Sequence, residues 1–199
     1  APRRFCRRYW PEGVTPPRVG PTGDGQDHPA TQAALRARGG ESQGHFCADI
    51  TQEQTLRARA AYFACVDHLD EIIGDFLALL GRDGLLDNTI VVYTSDHGEL
   101  GGEHGLWWKQ TWHEASVRVP LIVSTPAHRR GEQVPAIIDD PVSLGDLFPT
   151  LCGLVGAPLP DGLDGADLSA ALRGEVCNAM AERPGVFVEN LHSYPVPGM

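Results

Sequence analysis

The sequence predicts an α/β fold in which helices flank a sheet. A long amphipathic pattern at residues 51–80 is typical of a helix, and strand-like runs follow at 89–94 and 118–125, each with an uninterrupted apolar centre at 90–93 and 119–123. Apolar runs without alternation suit strands that are covered on both faces, as in a parallel sheet flanked by helices. A helix that leads into such a strand is typical of α/β domains.

Composition sets limits on the function. The 199 residues suffice for one domain, and a hydrophobic content of 42% with 21% charged residues is ordinary for a globular protein. A formal net charge of −10 argues against general nucleic-acid binding, which needs a basic face to neutralise phosphates. No apolar run reaches the length that spans a bilayer. We therefore expect neither nucleic acid nor a membrane as partner, whereas a small anionic substrate remains compatible because distant charges are screened.

The first 50 residues differ from the rest. They are rich in Pro, Gly, Arg and Asp and show no sustained period of 2 or 3.6. We interpret residues 1–50 as an irregular segment that packs on other structure, and residues 51–199 as the folded part. The missing initiating Met makes us expect that the natural start lies upstream.

The helix at 51–80 has its own start and stop signals. Thr51 and Gln54 form a capping-box pattern, while Gly81 and Gly84 are expected to end the helix. Its apolar face is predicted from residues that recur at helical spacing: Leu56, Ala60, Phe63, Val66, Leu69, Ile73, Phe76 and Leu80. The opposite face is polar and is expected to be solvated; it carries Arg57, Arg59, Asp67, Glu71 and Asp75.

A second capping pattern opens the C-terminal elements. Ser143 with Asp146 predicts a helix through about residue 154, and Pro149 should tighten its first turns because proline lacks a backbone donor. A short helix at 167–173 and a strand at 186–189 complete the predicted elements.

The strand at 89–94 ends in residues able to bind a metal. In open α/β sheets, ligands bind beyond the carboxyl ends of strands, where Asp96 and His97 follow. Adjacent strand residues point to opposite faces, so these two can share a cation only once the strand has ended, and Gly98 gives the chain that freedom. Calcium and magnesium prefer oxygen ligands, whereas imidazole favours zinc, manganese or iron. The pair alone does not identify a metal, and a strand-end cap with a hydrogen-bonded imidazole is the alternative.

The wider stretch resembles a known family. Residues 95–123, SDHGELGGEHGLWWKQTWHEASVRVPLIV, closely resemble the second signature region of the sulfatase family, in the alkaline-phosphatase-like superfamily. There S-D-H/N-G is followed by a loop similar to L-G-E-H-G-L-W-x-K and then by E-x-S-x-R-V-P-L-I. AYFACVDHLDEIIG and SLGDLFPTLCGLVGAPLPDGLDGADLSAAL resemble two further family segments. The resemblance covers about residues 51–175. It implies a partial alkaline-phosphatase/sulfatase-like sheet flanked by helices, of which residues 51–199 are the C-terminal part.

The resemblance also implies roles for individual residues. Asp96 and His97 look like two ligands of a divalent metal ion, calcium first, with manganese or zinc as alternatives. Lys109 is similar to the family's lysine that contacts the sulfate group, and His104 is expected to reach the leaving-group oxygen. The neighbouring tryptophans, Trp107, Trp108 and Trp112, are expected to pack the loop, and Arg118 to pair with Glu114 or another acid.

One part of the family pattern is not found. The family's nucleophile is a formylglycine made from the Cys or Ser of a C/S-x-P/A-x-R motif, and none of the five cysteine contexts fits it. We therefore interpret the chain as the C-terminal portion of a sulfatase that acts on a small anionic ester, inactive by itself and lacking the N-terminal half of the same fold. A phosphonate monoester or phosphodiester hydrolase of this superfamily and a non-catalytic remnant are the alternatives.

Overall fold

The computed structural model describes residues 1–20, 50–109, 111–132, 135 and 137–188. Over these residues the helices are α1 (Arg3–Tyr9), α2 (Gln52–Arg82), α3 (Glu114–Val117), α4 (Pro126–Arg129), α5 (Leu147–Val155), α6 (Ser169–Leu172) and α7 (Asn178–Ala181), and the strands are β1 (Val91–Thr94) and β2 (Leu121–Ser124). The chain forms two compact units. The first comprises described residues of 1–86 and 97–121, and the second comprises those of 87–96 and 122–188. The predicted α/β class is confirmed.

Helix α2 begins as the sequence predicts. The Thr51 hydroxyl accepts from the Gln54 amide at 3.2 Å, and the Gln54 side chain accepts from the Thr51 amide at 2.8 Å. The expectation that Gly81 ends the helix is wrong, since α2 continues to Arg82. Gly84 ends it instead: it lies in the left-handed region at φ 71°, and the flanking amides bond back to carbonyls of the last turn.

Helix α1, which the sequence did not predict, packs against α2. Phe5 of α1 is buried, and its ring lies 5.2 Å from that of His68. The polar face of α2 is solvated in part, as expected: Glu71 stays exposed although Arg4 binds it, whereas Asp67 is shielded and binds Arg8 at 2.7 Å. The division at residue 50 stays a prediction, because residues 21–49 lie outside the described part.

In the second unit, β1 and β2 form a small antiparallel sheet rather than a parallel one. Arg129 fixes this arrangement, since its guanidinium donates to the carbonyl of Thr89, just before β1, and to that of Ser124, at the end of β2. The prediction that the second strand is buried is wrong, because Leu121 and Ile122 are 38% and 59% exposed.

The C-terminal elements agree in part with the sequence. The Ser143 and Asp146 capping box is present and leads through a 3-10 turn into α5, which holds Pro149 buried in its first turn. Gly156 ends α5 at φ 69°. Residues 186–188 form no strand, so that prediction is wrong over the described residues. Among the described helices, none has the length and apolar character needed to cross a membrane.

Candidate functional site

Asp96 follows directly on the carboxyl end of β1. Its side chain is exposed, and its Oδ1 lies 3.4 Å from the Ser95 hydroxyl, which donates to it. Asp96 belongs to the second compact unit, whereas His97 belongs to the first.

His97 is held by its own backbone. Its Nδ1 lies 2.8 Å from the carbonyl oxygen of Gly98. A carbonyl only accepts, so this contact assigns the proton to Nδ1 and leaves the lone pair on Nε2. A backbone carbonyl that fixes one ring nitrogen while the other faces a metal is a common arrangement of histidine ligands. In its neutral form His97 could therefore bind a metal through Nε2.

Gly98 is needed for a close approach of two chain segments. Its amide donates to the Ser116 carbonyl at 2.8 Å, and a Cβ added at residue 98 would lie 2.1 Å from the Ala115 carbonyl oxygen. Glycine is therefore needed at residue 98 for lack of space as well as for conformational freedom, because any side chain here would clash with the start of α3.

The loop from Glu99 to Lys109 is closed by its own hydrogen bonds. The Leu100 amide donates to the Trp108 carbonyl at 2.7 Å, and Glu99 accepts from the Trp108 amide at 2.7 Å. Leu100 and Leu106 are almost fully buried beneath the loop. Two internal leucines and a closed base make the loop a compact unit, and Lys109 is the residue that leaves it.

The tip of this loop is tied to α2 and to the N-terminal segment. Glu103 accepts from the amides of Arg18 and Val19 at 3.1 and 2.9 Å, and it lies 3.5 Å from the Arg59 guanidinium. Arg59 also donates to the Gly101 carbonyl at 2.8 Å. Arg59 was predicted on a solvated face and is instead nearly buried, because it carries these contacts.

His104 sits at the tip in a strained conformation, with φ 57°. Its amide donates to the Val19 carbonyl at 2.8 Å, and its ring stacks on His113 with centroids 3.8 Å apart. These contacts engage both the backbone and one face of the ring. The expectation that His104 reaches a leaving group stays a prediction.

Lys109 is half-buried, and its Nζ lies 5.5 Å from the centre of the Trp108 ring. The expectation that the tryptophans pack the loop is met by Trp107, whose ring lies against Gly102. It is wrong for Trp108 and Trp112, which are 40% and 36% exposed. Arg118 does pair with Glu114, at 3.8 Å on an exposed face.

A cleft of about 350 Å³ lies between α2 and the loop. Its charged side chains are already engaged: Arg59 binds the backbone carbonyls of Thr15 and Gly101, while Glu99 and Glu103 accept backbone amides. The cleft therefore offers mainly the apolar surfaces of its aromatic residues, Tyr62, Phe63 and Trp107.

A metal site formed by the described residues would need at least three donor side chains close to one another. No group of three or more His, Cys, Asp or Glu residues within the described ranges is arranged to hold a metal ion. That Asp96 and His97 bind a metal stays a prediction, and two ligands would leave most of a divalent ion's shell unfilled.

The serine form of the nucleophile motif escaped the sequence analysis, which considered only cysteines. Residues 169–173, SAALR, fit S-x-A-x-R. Ser169, however, is 2% exposed, and its hydroxyl faces Gly153, where an added Cβ would lie 2.5 Å from it. A hydroxyl that is buried in the folded chain cannot receive a substrate, so the structure gives Ser169 a packing role.

The family model and the curated relatives that match this chain agree on one family. A family model described as Sulfatase matches residues 18–157. Arylsulfatase K of Mus musculus is 36% identical over 146 residues, which cover 72% of this chain and 26% of that protein. Choline-sulfatase of Rhizobium meliloti (strain 1021) is 40% identical over 113 residues, 57% of this chain and 21% of that protein.

A solved structure is also similar. The phosphonate monoester hydrolase SpPMH from Silicibacter pomeroyi matches with a TM-score of 0.61 and 32% identity, covering 75% of this chain and 28% of that one. The chain thus spans about a quarter of the length of the curated relatives that it matches.

Proposed function

This chain belongs to the sulfatase family, and from that premise we propose that it supplies part of the active site of a sulfuric ester hydrolase. The observation that carries the proposal is one continuous stretch of sequence, in which Asp96 and His97 follow a strand and a self-closed loop then leads to Lys109. The resemblance gives these residues their roles, and the local geometry is compatible with them.

Lys109 is proposed to contact the sulfate group. An ammonium is a compact charge with three donors, which suits an anionic group whose oxygens gain charge in the transition state. The lysine leaves a loop whose base is hydrogen-bonded, so little reorganisation is needed when an anion arrives. His104 is proposed to act nearer the leaving group, by proton transfer to its oxygen.

Asp96 and His97 are proposed to bind one divalent ion, calcium first, with manganese or zinc as alternatives. The tautomer of His97 fits this role, and the exposed carboxylate of Asp96 can accept a cation. The two residues do not complete a coordination shell, however. We propose that the ion's remaining ligands, with the nucleophile, come from the N-terminal half of the same fold.

The surface of α2 supports a polypeptide partner. Six large apolar residues along one side of the helix are 42–57% exposed: Tyr62, Val66, Leu69, Ile72, Phe76 and Leu79. Their spacing of three and four residues makes one continuous stripe, and such stripes normally face a core. A two-stranded sheet is also marginal by itself. We propose that the N-terminal half of a sulfatase domain covers this stripe.

The test joins the chain to any polypeptide encoded in frame upstream of Ala1 and assays the product on an aryl sulfate. Turnover that falls strongly in Lys109→Ala, and not in Glu114→Ala, supports the proposal. Glu114 is a suitable control because it is exposed and pairs only on the surface with Arg118. The absence of hydrolysis of both an aryl sulfate and an aryl phosphonate monoester in a folded joined protein would favour a non-catalytic remnant.

The similarity to SpPMH favours a second candidate, hydrolysis of phosphonate monoesters. Both reactions place a tetrahedral anionic centre beside a cation, so Lys109 and the ligand pair suit either. Assays of the joined protein on an aryl sulfate and on an aryl phosphonate monoester, compared by kcat/KM, separate the two. A preference for the phosphonate would replace the sulfatase assignment.

A further inference from the structure

We propose that Glu99 is a positioning residue, which holds Lys109 in place through the backbone of Trp108. The inference deepens the proposed function, because it rests on the role assigned to Lys109. All the residues concerned belong to the first compact unit.

The contacts of Glu99 are to the backbone at both ends of the loop. Its Oε1 accepts from the Trp108 amide at 2.7 Å and from the Gly101 amide at 3.0 Å. The Trp108 carbonyl is bound as well, by the Leu100 amide at 2.7 Å. Both polar backbone groups of the residue before Lys109 are therefore tied to residues 99 and 100.

Trp108 needs this support because its backbone is strained. Its φ is 71°, in the left-handed region that residues other than glycine rarely adopt. Such conformations persist only when the surroundings fix them. Trp108 is 40% exposed, so burial fixes it only in part. A carboxylate that accepts the amide is a charge-assisted hydrogen bond, stronger than a neutral one.

The arrangement connects the strand end to the lysine. Glu99 lies two residues after His97, and its carboxylate reaches across the loop to the residue before Lys109. The Lys109 ammonium also lies 5.5 Å from the centre of the Trp108 ring, so the position of that ring affects the ammonium directly. Glu99 thus sets where Lys109 leaves the loop, without contacting the substrate itself.

The composition of the chain allows a specific test. The chain contains 15 arginines but only one lysine, Lys109. Endoproteinase Lys-C cuts after lysine, so it can cut the 199-residue chain only there. When opening is fast, the cutting rate follows the population of the open loop. Loss of a hydrogen bond to a charged group changes such a population about tenfold or more. In Glu99→Ala we expect Lys-C to cut about tenfold faster than in the wild type.

Two matched variants define the outcome. Glu99→Gln keeps a carbonyl acceptor and should be cut within about threefold of the wild type, because a neutral hydrogen bond keeps part of the stabilisation. Glu114→Ala should be cut at the wild-type rate. Equal rates in Glu99→Ala and the wild type would overturn the proposal, as would equally fast cutting of Glu99→Gln and Glu99→Ala.

Amide exchange of the wild-type chain tests the proposal if Glu99→Ala does not fold. The Trp108 and Gly101 amides should exchange at least about tenfold slower than in an unstructured peptide. Exchange at the unstructured rate would overturn the proposal. Neither measurement uses catalysis, so failure here leaves the sulfatase assignment standing, and failure of the activity assay leaves the role of Glu99 standing.

Discussion

Arg183 and Asp146 form a buried, two-pronged ion pair in the second unit. One guanidinium nitrogen of Arg183 lies 2.8 Å from Oδ1 of Asp146 and the other contacts Oδ2. The same carboxylate accepts from the amides of Ser143 and Ala166 at 2.7 and 2.9 Å. One side chain therefore joins the start of α5, the segment before α6 and the segment after α7.

Removing this carboxylate should destabilise the second unit. Asp146→Ala leaves the Arg183 charge mostly buried without its partner, together with two amides that have lost their acceptor. We expect the free energy of unfolding to fall by about 3 kcal/mol, measured by urea denaturation. Glu175→Ala is the control, because its pair with Arg173 is exposed, and it should change stability by less than about 0.5 kcal/mol.

The ion pair between Asp146 and Arg183 should also make the free energy of unfolding depend on pH. Burial by itself raises the pKa of Asp146, but the hydrogen bonds from Arg183 and from the two amides outweigh it and lower the pKa to about 2. A lowered folded-state pKa gives stability that is fully present above the unfolded value of 3.8 and lost as the pH falls toward 2. The loss should be about 2 kcal/mol.

Comparison with Asp146→Asn isolates this contribution. Between pH 6 and pH 2, the difference in unfolding free energy between wild type and variant should shrink as the wild-type carboxylate becomes protonated. A constant difference over that range would contradict the lowered pKa.

Gly98→Ala should disturb the loop even though only one methyl group is added. The new Cβ would lie 2.1 Å from a backbone carbonyl oxygen, which cannot move as a side chain can. We expect a loss of about 1–3 kcal/mol in unfolding free energy. Gly74→Ala is the matched control, since it lies inside α2 with open space around it. It should raise stability by up to about 1 kcal/mol through helix propensity.

Lys109 should affect turnover in the joined protein described above. In the proposed role Lys109 places a cation beside the transferring group, so in Lys109→Ala we expect kcat to fall about 10²- to 10³-fold. Lys109→Arg should restore activity only in part, because a planar guanidinium does not reproduce a compact ammonium. Steady-state kinetics on an aryl sulfate measure both effects, and an unchanged kcat in Lys109→Ala would remove the lysine from the site.

Ser169 should remain unmodified. Its sequence fits the serine form of the formylglycine motif, but its hydroxyl is buried against Gly153. Mass spectrometry of the peptide that contains Ser169 should give the unmodified mass. A loss of two hydrogens at this residue would show that the hydroxyl is accessible and would restore it as a nucleophile.

The sequence by itself determined features that depend on neighbours along the chain. The capping boxes at Thr51 and Ser143 were predictable because each joins residues three apart. The strand end before Asp96 and His97 was predictable because polar residues and a glycine follow an apolar run, whereas metal binding by the two residues stays a prediction. The family resemblance identified Lys109 in the same way, from a contiguous motif. Local hydrogen bonds and contiguous motifs can be predicted from the sequence because the residues that form them are close together along the chain.

Tertiary structure decided the rest, because the partners are distant in sequence or compete for one surface. The polar face of α2 was expected in solvent, yet Arg8 of α1 pairs with Asp67, 59 residues away. Asp146 appeared only as a cap, and its bond to Arg183 spans 37 residues. Neither periodicity nor a motif indicated the role proposed for Glu99. That role depends on the loop being closed, so that the Trp108 amide can donate to the Glu99 carboxylate. Periodicity shows which residues avoid water, but only the folded chain decides which surface covers them.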